Sequence, residues 1–251
     1  MGQLQHKTAV ITGGNSGIGY ATAADFLAKG AKVLITGRNP EAVQQAAGTL
    51  GNDTDSFIAD QGKIADTQKL AEYVRDRYGK IDILFVNAGI ANFGPFSAVT
   101  EESFDRLMDI NLKGAFFTVQ YLLPLIKDGG TIILLSSINA LAGMPGASIY
   151  NASKAGLNSL GRTLSRELAS RKIRVNVVNP GPVETPILQK AGIPEEAINK
   201  EEMAKKLPAG RIGQPEEIAK LVSFLASDEA SFITGAEYNI DGGFSVHPLI
   251  G

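Results

Sequence analysis

Short apolar, β-branched runs alternate with longer helix-like stretches along the whole chain. Strand-like runs fall at residues 7–12, 32–36, 55–59, 81–86, 131–136, 173–178 and 237–240. Helical patterns fall between them, at 21–29, 40–50, 66–78, 101–127 with a break near Pro124, 152–170 and 216–225. The runs at 81–86 and 131–136 are apolar almost without alternation, as strands covered on both faces are. Parallel neighbours need a crossover between them, and a helix supplies one. The pattern predicts an α/β fold: a parallel sheet of about seven strands with helices on both faces, in a single domain over residues 1–251. No composition break or internal repeat marks a second unit. The stretch 182–208 departs from the alternation, with four prolines, many charges and no strand. Irregular insertions of this kind are either substrate loops and lids or plain surface excursions.

Composition narrows function by exclusion. The net charge of −2 lacks the basic balance of a nucleic-acid binder. There are no cysteines, so disulfides, thiol nucleophiles and cysteine metal ligands are ruled out. The two histidines, His6 and His247, sit near opposite ends, and no Gly-x-Ser-x-Gly elbow occurs. That argues against a Ser-His-Asp hydrolase and a histidine metal site, and no metal is expected. No apolar run reaches the roughly 18 residues of a membrane span. The first residues lack a signal-peptide core, so the chain reads as cytoplasmic with no membrane partner.

The first strand-like run ends in Thr12-Gly13-Gly14-Asn15-Ser16-Gly17-Ile18-Gly19, and a helix follows. A dinucleotide pyrophosphate requires this context. Glycines let the backbone turn sharply and approach the phosphates, while the helix N-terminus offers free N–H groups and a positive dipole end. The spacing G-x-x-x-G-x-G has a wider first gap than G-x-G-x-x-G. The second strand ends in Gly37-Arg38-Asn39. An acid there would grip the ribose 2′-hydroxyl of NAD; none is present, and Arg38 can pair with a 2′-phosphate. NADP(H) is the expected cofactor. NAD(H) is the alternative if Arg38 is only a solvated charge opening the next helix.

Further along, Tyr150-Asn151-Ala152-Ser153-Lys154 sets a phenol and an ammonium four residues apart. On a helix these positions share a face. A free tyrosine titrates at about 10, and a nearby positive charge lowers that value. The pair suits general acid–base work; the alternative is a half-buried tyrosine beside a surface lysine.

With these pieces in order, the chain resembles the short-chain dehydrogenase/reductase family over its whole length. Thr12-Gly13 through Gly19 is similar to the family's TGxxxGxG turn, Asn87-Ala88-Gly89 to its NAG motif, and Tyr150 with Lys154 to its YxxxK motif. Asp60, Asn111, Ser137, Pro180-Gly181 with Thr185, and Asp241-Gly242-Gly243 follow in the family's order. The resemblance implies a Rossmann-like domain and a catalytic set of Asn111, Ser137, Tyr150 and Lys154. Tyr150 would exchange the proton, Lys154 would depress the phenol pKa and hold the nicotinamide ribose, Ser137 would steady the substrate oxygen, and Asn111 would position a water. It also implies cofactor contacts from Gly13, Asn15, Ser16, Gly17, Ile18, Gly19, Gly37, Arg38, Asn39, Asp60, Gln61, Asn87, Ala88, Gly89, Tyr150, Lys154, Pro180, Gly181, Val183 and Thr185. Two departures stand out. Ser16 occupies the position where many NADP-preferring members carry Arg or Lys, so the NADP expectation rests on Arg38 alone. Gln61 replaces the common apolar residue after the acid and is expected to alter adenine packing.

The expected activity is NADPH-dependent reduction of a ketone to a secondary alcohol. The expected substrate pocket is Ser137, Asn139, Leu141, Met144, Tyr150 and Pro182 with the 182–208 segment, which suggests an apolar small-molecule carbonyl substrate. Three alternatives remain open: a 3-oxoacyl-(acyl-carrier-protein) reductase, with Lys113, Arg171 and Lys172 as docking cations; an NAD-linked sugar or polyol dehydrogenase; and a nucleotide-sensing regulator. The resemblance further implies a homotetramer or homodimer, with the tail 244–251 reaching a neighbouring subunit.

Overall fold

The computed structural model describes residues 3–245. Its strands are Thr8–Ile11 (β1), Lys32–Gly37 (β2), Thr54–Ile58 (β3), Ile81–Val86 (β4), Ile126–Leu135 (β5), Arg174–Pro180 (β6) and Glu237–Ile240 (β7). They form one parallel sheet in the order β3-β2-β1-β4-β5-β6-β7. The helices are Gly17–Ala28 (α1), Pro40–Leu50 (α2), Ile64–Tyr78 (α3), Glu101–Met108 (α4), Ala115–Leu122 (α5), Ser148–Glu167 (α6), Ile187–Lys190 (α7), Lys200–Lys205 (α8) and Pro215–Ala226 (α9). The expected Rossmann-like α/β architecture is the one found.

Local chemistry sets several helix starts. Asn39 accepts a hydrogen bond from Ala42 N–H at 3.0 Å, and Pro40 takes the first helical position of α2, where no N–H is needed. Thr100 and Ser103 cap α4 reciprocally at 3.2 Å each way. Glu217 accepts from the backbone N–H of Gln214 at 2.8 Å at the head of α9. Successive strand residues face opposite sides, so the sheet carries two cores. Ala9, Ile11, Val33 and Ile35 pack with Phe26 of α1 and Val222 of α9. Val10, Leu34 and Leu84 pack with Val74 of α3, Val119 of α5 and Leu157 of α6 on the other side. Complete burial of a side chain such as Phe26 stabilises the fold by about 2–3 kcal/mol.

Between β2 and β4, strand β1 is where the chain reverses the direction in which it adds strands. The loops leaving the carboxyl ends of β1 and β4 part there, opening a crevice at the sheet edge where ligands of open α/β sheets bind.

The predicted helix over 101–127 is broken twice. After α4 comes a six-residue π-helical segment, Asp109–Gly114, then α5, then a 3-10 turn at Leu123–Leu125 around Pro124. Strand β5 starts at Ile126, not 131, because Ile126 pairs with Ile81 before the register shifts. Exposed Lys127, Asp128 and Gly129 hide that extension in the sequence. Arg171 braces the corner, donating to Leu123 O at 2.9 Å, to Asp128 at 2.8 Å and to Ile126 O. Helix α6 begins at Ser148, not 152, so Tyr150 lies inside it. The 182–208 stretch carries α7, α8 and a 3-10 turn at Glu195–Ala197, so it is less irregular than expected. Of the tail 244–251, expected to reach a neighbouring subunit, residues 246–251 lie outside the described residues.

Gly114 ends the π segment against backbone. A β-carbon there would lie 2.2 Å from Gln61 O and 2.8 Å from Asp109 O. Gly114→Ala is expected to cost about 1–3 kcal/mol, since neither carbonyl can yield cheaply. Gly48→Ala, exposed within α2 with nothing within 4 Å of the new methyl, is expected to gain about 0.5–1 kcal/mol. Urea unfolding midpoints of the two variants, shifted in opposite directions, check the pair.

Candidate active site

The crevice holds a cleft of about 790 Å³. Gly13, Asn15, Ser16, Gly17 and Ile18 form one wall, Gly37, Arg38 and Asn39 a second, and Asp60, Gln61, Asn87, Ala88 and Gly89 a third, with Thr185 closing over Gly17. Gly13 and Gly17 adopt positive φ, +65° and +53°, which L side chains rarely tolerate. Ser16 stands at the N-cap of α1 without capping it, so the first-turn N–H groups keep their donors for the cleft. A glycine cradle, an uncapped helix N-terminus and a long cleft together fit a dinucleotide.

Thr12 ties the first wall to the third. Its hydroxyl accepts from Asn87 N–H and Ala88 N–H, both at 3.0 Å, and the Asn87 amide donates back to Thr12 O at 2.8 Å and Gly13 O at 3.1 Å. Gly19 serves this junction rather than the cleft: a β-carbon there would lie 2.4 Å from Gly13 O. Pro180, Gly181 and Val183 also fall outside the cleft lining. Gly181 packs on Asp241, with 2.6 Å to a hypothetical β-carbon, and Val183 bridges to Gly213. Both contacts hold the base of the 182–208 segment.

Gln61 is buried, and its amide donates to Ala88 O and Ile110 O, each at 2.9 Å. It is a cross-link between β4's loop and the π segment, not a packing surface alone. Asn111 sits in the π segment, a helical irregularity common at functional sites. Its side chain accepts from Ile90 N–H at 2.9 Å and donates to Ile90 O at 2.9 Å and Ser153 Oγ at 3.3 Å. Those bonds make the side chain a brace for the loop, and its Oδ1 keeps one acceptor site.

Ser137, Tyr150 and Lys154 meet beside the cleft. Lys154 is 4% exposed and donates to Leu135 O at 2.9 Å. Its nitrogen lies 3.6 Å from where a β-carbon on Gly89 would sit. Tyr150 and Lys154 share a face of α6, with the nitrogen 5.7 Å from the phenol ring centre. Burial pushes the Lys154 pKa down to about 8. Burial pushes Tyr150 up, and the Ser137 hydroxyl pulls the other way without reversing it. Burial thus sets the direction of the Tyr150 shift, against the lowering expected from Lys154. Ser137 Oγ also accepts from Asn139 N–H at 3.2 Å, while neighbouring Ser136 donates to Lys154 O at 3.0 Å. Register 137 thus faces the phenol, and 136 fastens the helix.

Known proteins match this arrangement. A family model described as enoyl-(acyl carrier protein) reductase matches residues 13–245. A 3-oxoacyl-(acyl-carrier-protein) reductase of Thermotoga maritima is 39% identical over 97% of this chain and 100% of that protein. An NADP-dependent (R)-specific alcohol dehydrogenase of Lentilactobacillus kefiri is 36% identical over 97% of this chain and 98% of that one. The crystal structure of a levodione reductase superposes with a TM-score of 0.91 at 31% identity, covering 96% of this chain and 98% of that one.

The chain belongs to the short-chain dehydrogenase/reductase family. It is an NAD(P)-dependent oxidoreductase acting on CH–OH or ketone groups. Among the described residues no helix is long and apolar enough to cross a membrane.

Next to the cleft of this short-chain dehydrogenase/reductase, a second cavity of about 330 Å³ is lined by Phe93, Gly94, Val99 and Ile149 among others. Asn139 donates to Asn151 Oδ1 and Met144 Sδ, both at 3.2 Å, bracing its own loop. Leu141 and Met144 are 55% and 47% exposed beyond it. The Phe93 ring lies 6.4 Å from that of Tyr150. Phe93 went unnoticed in the sequence, although Gly94-Pro95 marks its loop immediately after the Asn87-Ala88-Gly89 turn.

Lys154 gives the site a measurable signature. Its folded pKa of about 8 lies below the unfolded value near 10.5, so between these pH values the unfolded chain binds the extra proton. Stability therefore rises with pH across that window, and the penalty is complete below it. The stability of Lys154→Met relative to wild type is expected to fall by at most about 3 kcal/mol as pH rises from 8 to 10.5. Chemical denaturation at four pH values across the window checks this; a constant difference would rule burial out as the cause.

Proposed function

We propose that the protein is an NADPH-dependent ketone reductase that yields secondary alcohols, with Tyr150 as the proton donor. The meeting of Ser137, Tyr150 and Lys154 beside a glycine-cradled cleft carries this reading. The bound nicotinamide supplies the hydride. Burial keeps the phenol protonated at neutral pH, so Tyr150 has a proton to give to the carbonyl oxygen during reduction and takes it back during oxidation. Ser137 hydrogen-bonds that oxygen and steadies its developing charge. Lys154 hydrogen-bonds the nicotinamide ribose and Asn111 holds the Gly89–Ile90 backbone beneath it. Arg38 receives the 2′-phosphate. Phe93, Leu141 and Met144 offer apolar surface, which favours an apolar ketone over a sugar. Residues 182–208 act as the lid, and the assembly is a homotetramer.

The Thermotoga relative favours a second reading, a 3-oxoacyl-(acyl-carrier-protein) reductase, with the same bond chemistry on a carried thioester. Two of its three docking cations are already engaged: Lys113 pairs with Asp109 at 2.9 Å and Arg171 with Asp128 at 2.8 Å. Rates on acyl-carrier thioesters against free ketones separate the two.

Tyr150→Phe is expected to lower kcat by about a thousandfold with little change in NADPH affinity; normal turnover would remove Tyr150 from the chemistry. Arg38→Leu is expected to shift the ratio of kcat/KM for NADPH over NADH toward NADH by about ten- to a hundredfold. An unchanged ratio would remove Arg38 from cofactor choice.

A further inference from the structure

Residue 16 is a serine, which leaves the glycine-rich turn with no cation of its own. The fold brings one from far along the chain. Lys190, the last residue of α7, reaches back across 174 positions and donates to Ser16 Oγ at 2.7 Å. Lys190, Ser16 and Arg38 all line the same cleft. Asn15 links their two sides: it precedes Ser16, and its Oδ1 lies 2.6 Å from where a β-carbon on Gly37 would sit, one residue before Arg38. The two cations therefore flank Asn15, one reached through Ser16 and one through Gly37.

Neither cation forms an ion pair among the described residues. The lysine as a whole is exposed, but partial desolvation, and after it the charge of Arg38, pushes its pKa down. Two like charges lining one cleft, neither paired with a carboxylate among the described residues, are stabilised by an anion that takes both. A dianionic phosphate meets that need, and Asn15 and Ser16 add neutral polar groups around it.

We propose that Lys190 is the second cation of the site for the cofactor's 2′-phosphate, supplied by the 182–208 segment. This rests on the NADP reading above and extends it: cofactor choice is divided between Arg38, fixed on the sheet, and Lys190, carried by the segment above the turn. Occupation of the 2′-phosphate site then holds α7 against the glycine turn, so the same contact that selects the cofactor also fastens the segment next to Thr185.

Isothermal titration calorimetry with 2′,5′-ADP, 5′-AMP and 5′-ADP tests this without turnover. The first two ligands differ only in the 2′-phosphate, and the third reports the pyrophosphate site. Lys190→Gln is expected to weaken 2′,5′-ADP by about tenfold with 5′-AMP and 5′-ADP unchanged, and Lys190→Arg to restore most of the loss. The side chain is exposed, so wild-type thermal melting is expected of both variants. Unchanged 2′,5′-ADP affinity in Lys190→Gln, with Arg38→Leu still weakening it, overturns the role of Lys190 and leaves the NADP reading standing. A loss confined to 5′-ADP also overturns it and assigns Lys190 to the pyrophosphate. Equal affinity of the wild type for 2′,5′-ADP and 5′-AMP overturns the NADP reading itself, and this proposal with it.

Discussion

The hydroxyl of Thr12 is the fixed point of the molecule. It accepts two backbone N–H groups from the end of β4, while the Asn87 amide returns two hydrogen bonds to the end of β1. Backbone groups of this kind, buried and unpaired, would each cost about 1–3 kcal/mol. Pairing them fixes how far apart the two loops part at the crevice. The glycine turn, which packs Gly19 on Gly13, and the Asn87-Ala88-Gly89 loop thus form one rigid bed instead of two mobile loops.

The same bed carries the chemistry through a second set of bonds. Asn111 clasps Ile90 by both its N–H and its carbonyl, and Gln61 joins Ala88 to Ile110. The π segment can bring Asn111 inward because Gly114 lets the chain pass over Gln61. Lys154 reaches down to Leu135 and Gly89 from α6, so that helix and the loop bed share contacts. Burial sets the electrostatics there. It holds the phenol protonated and leaves the lysine's charge marginal, a state suited to giving a proton in reduction.

Much of this was legible in the chain. Apolar runs with helical spacers announced the parallel sheet, and the glycine spacing, Arg38 and the Tyr150–Lys154 interval marked the cleft and the face of α6 beside it. What the sequence leaves unread are contacts set across long sequence separations. Gln61 and Asn111 are fastened to backbone 27 and 21 residues away, which local spacing does not reveal. Gly181 packs on Asp241 and Val183 bridges to Gly213, contacts that local spacing does not reveal. Strand β5 was clipped by its exposed charges, and Lys190 lay in a segment with no periodicity to place it. A 174-residue hydrogen bond leaves no mark in any sequence window.

These bonds converge on a claim about atoms: a hydride arrives at a carbonyl carbon held against Ser137 while Tyr150 protonates its oxygen. Deuterium transfer from NADPH labelled at nicotinamide C4 to a panel of ketones and acyl thioesters, read by mass spectrometry of the product, tests it most directly. One deuterium on the carbinol carbon of at least one product is the predicted result. Calorimetrically verified cofactor binding with label transferred to none of the panel, from either face of the nicotinamide, would contradict it.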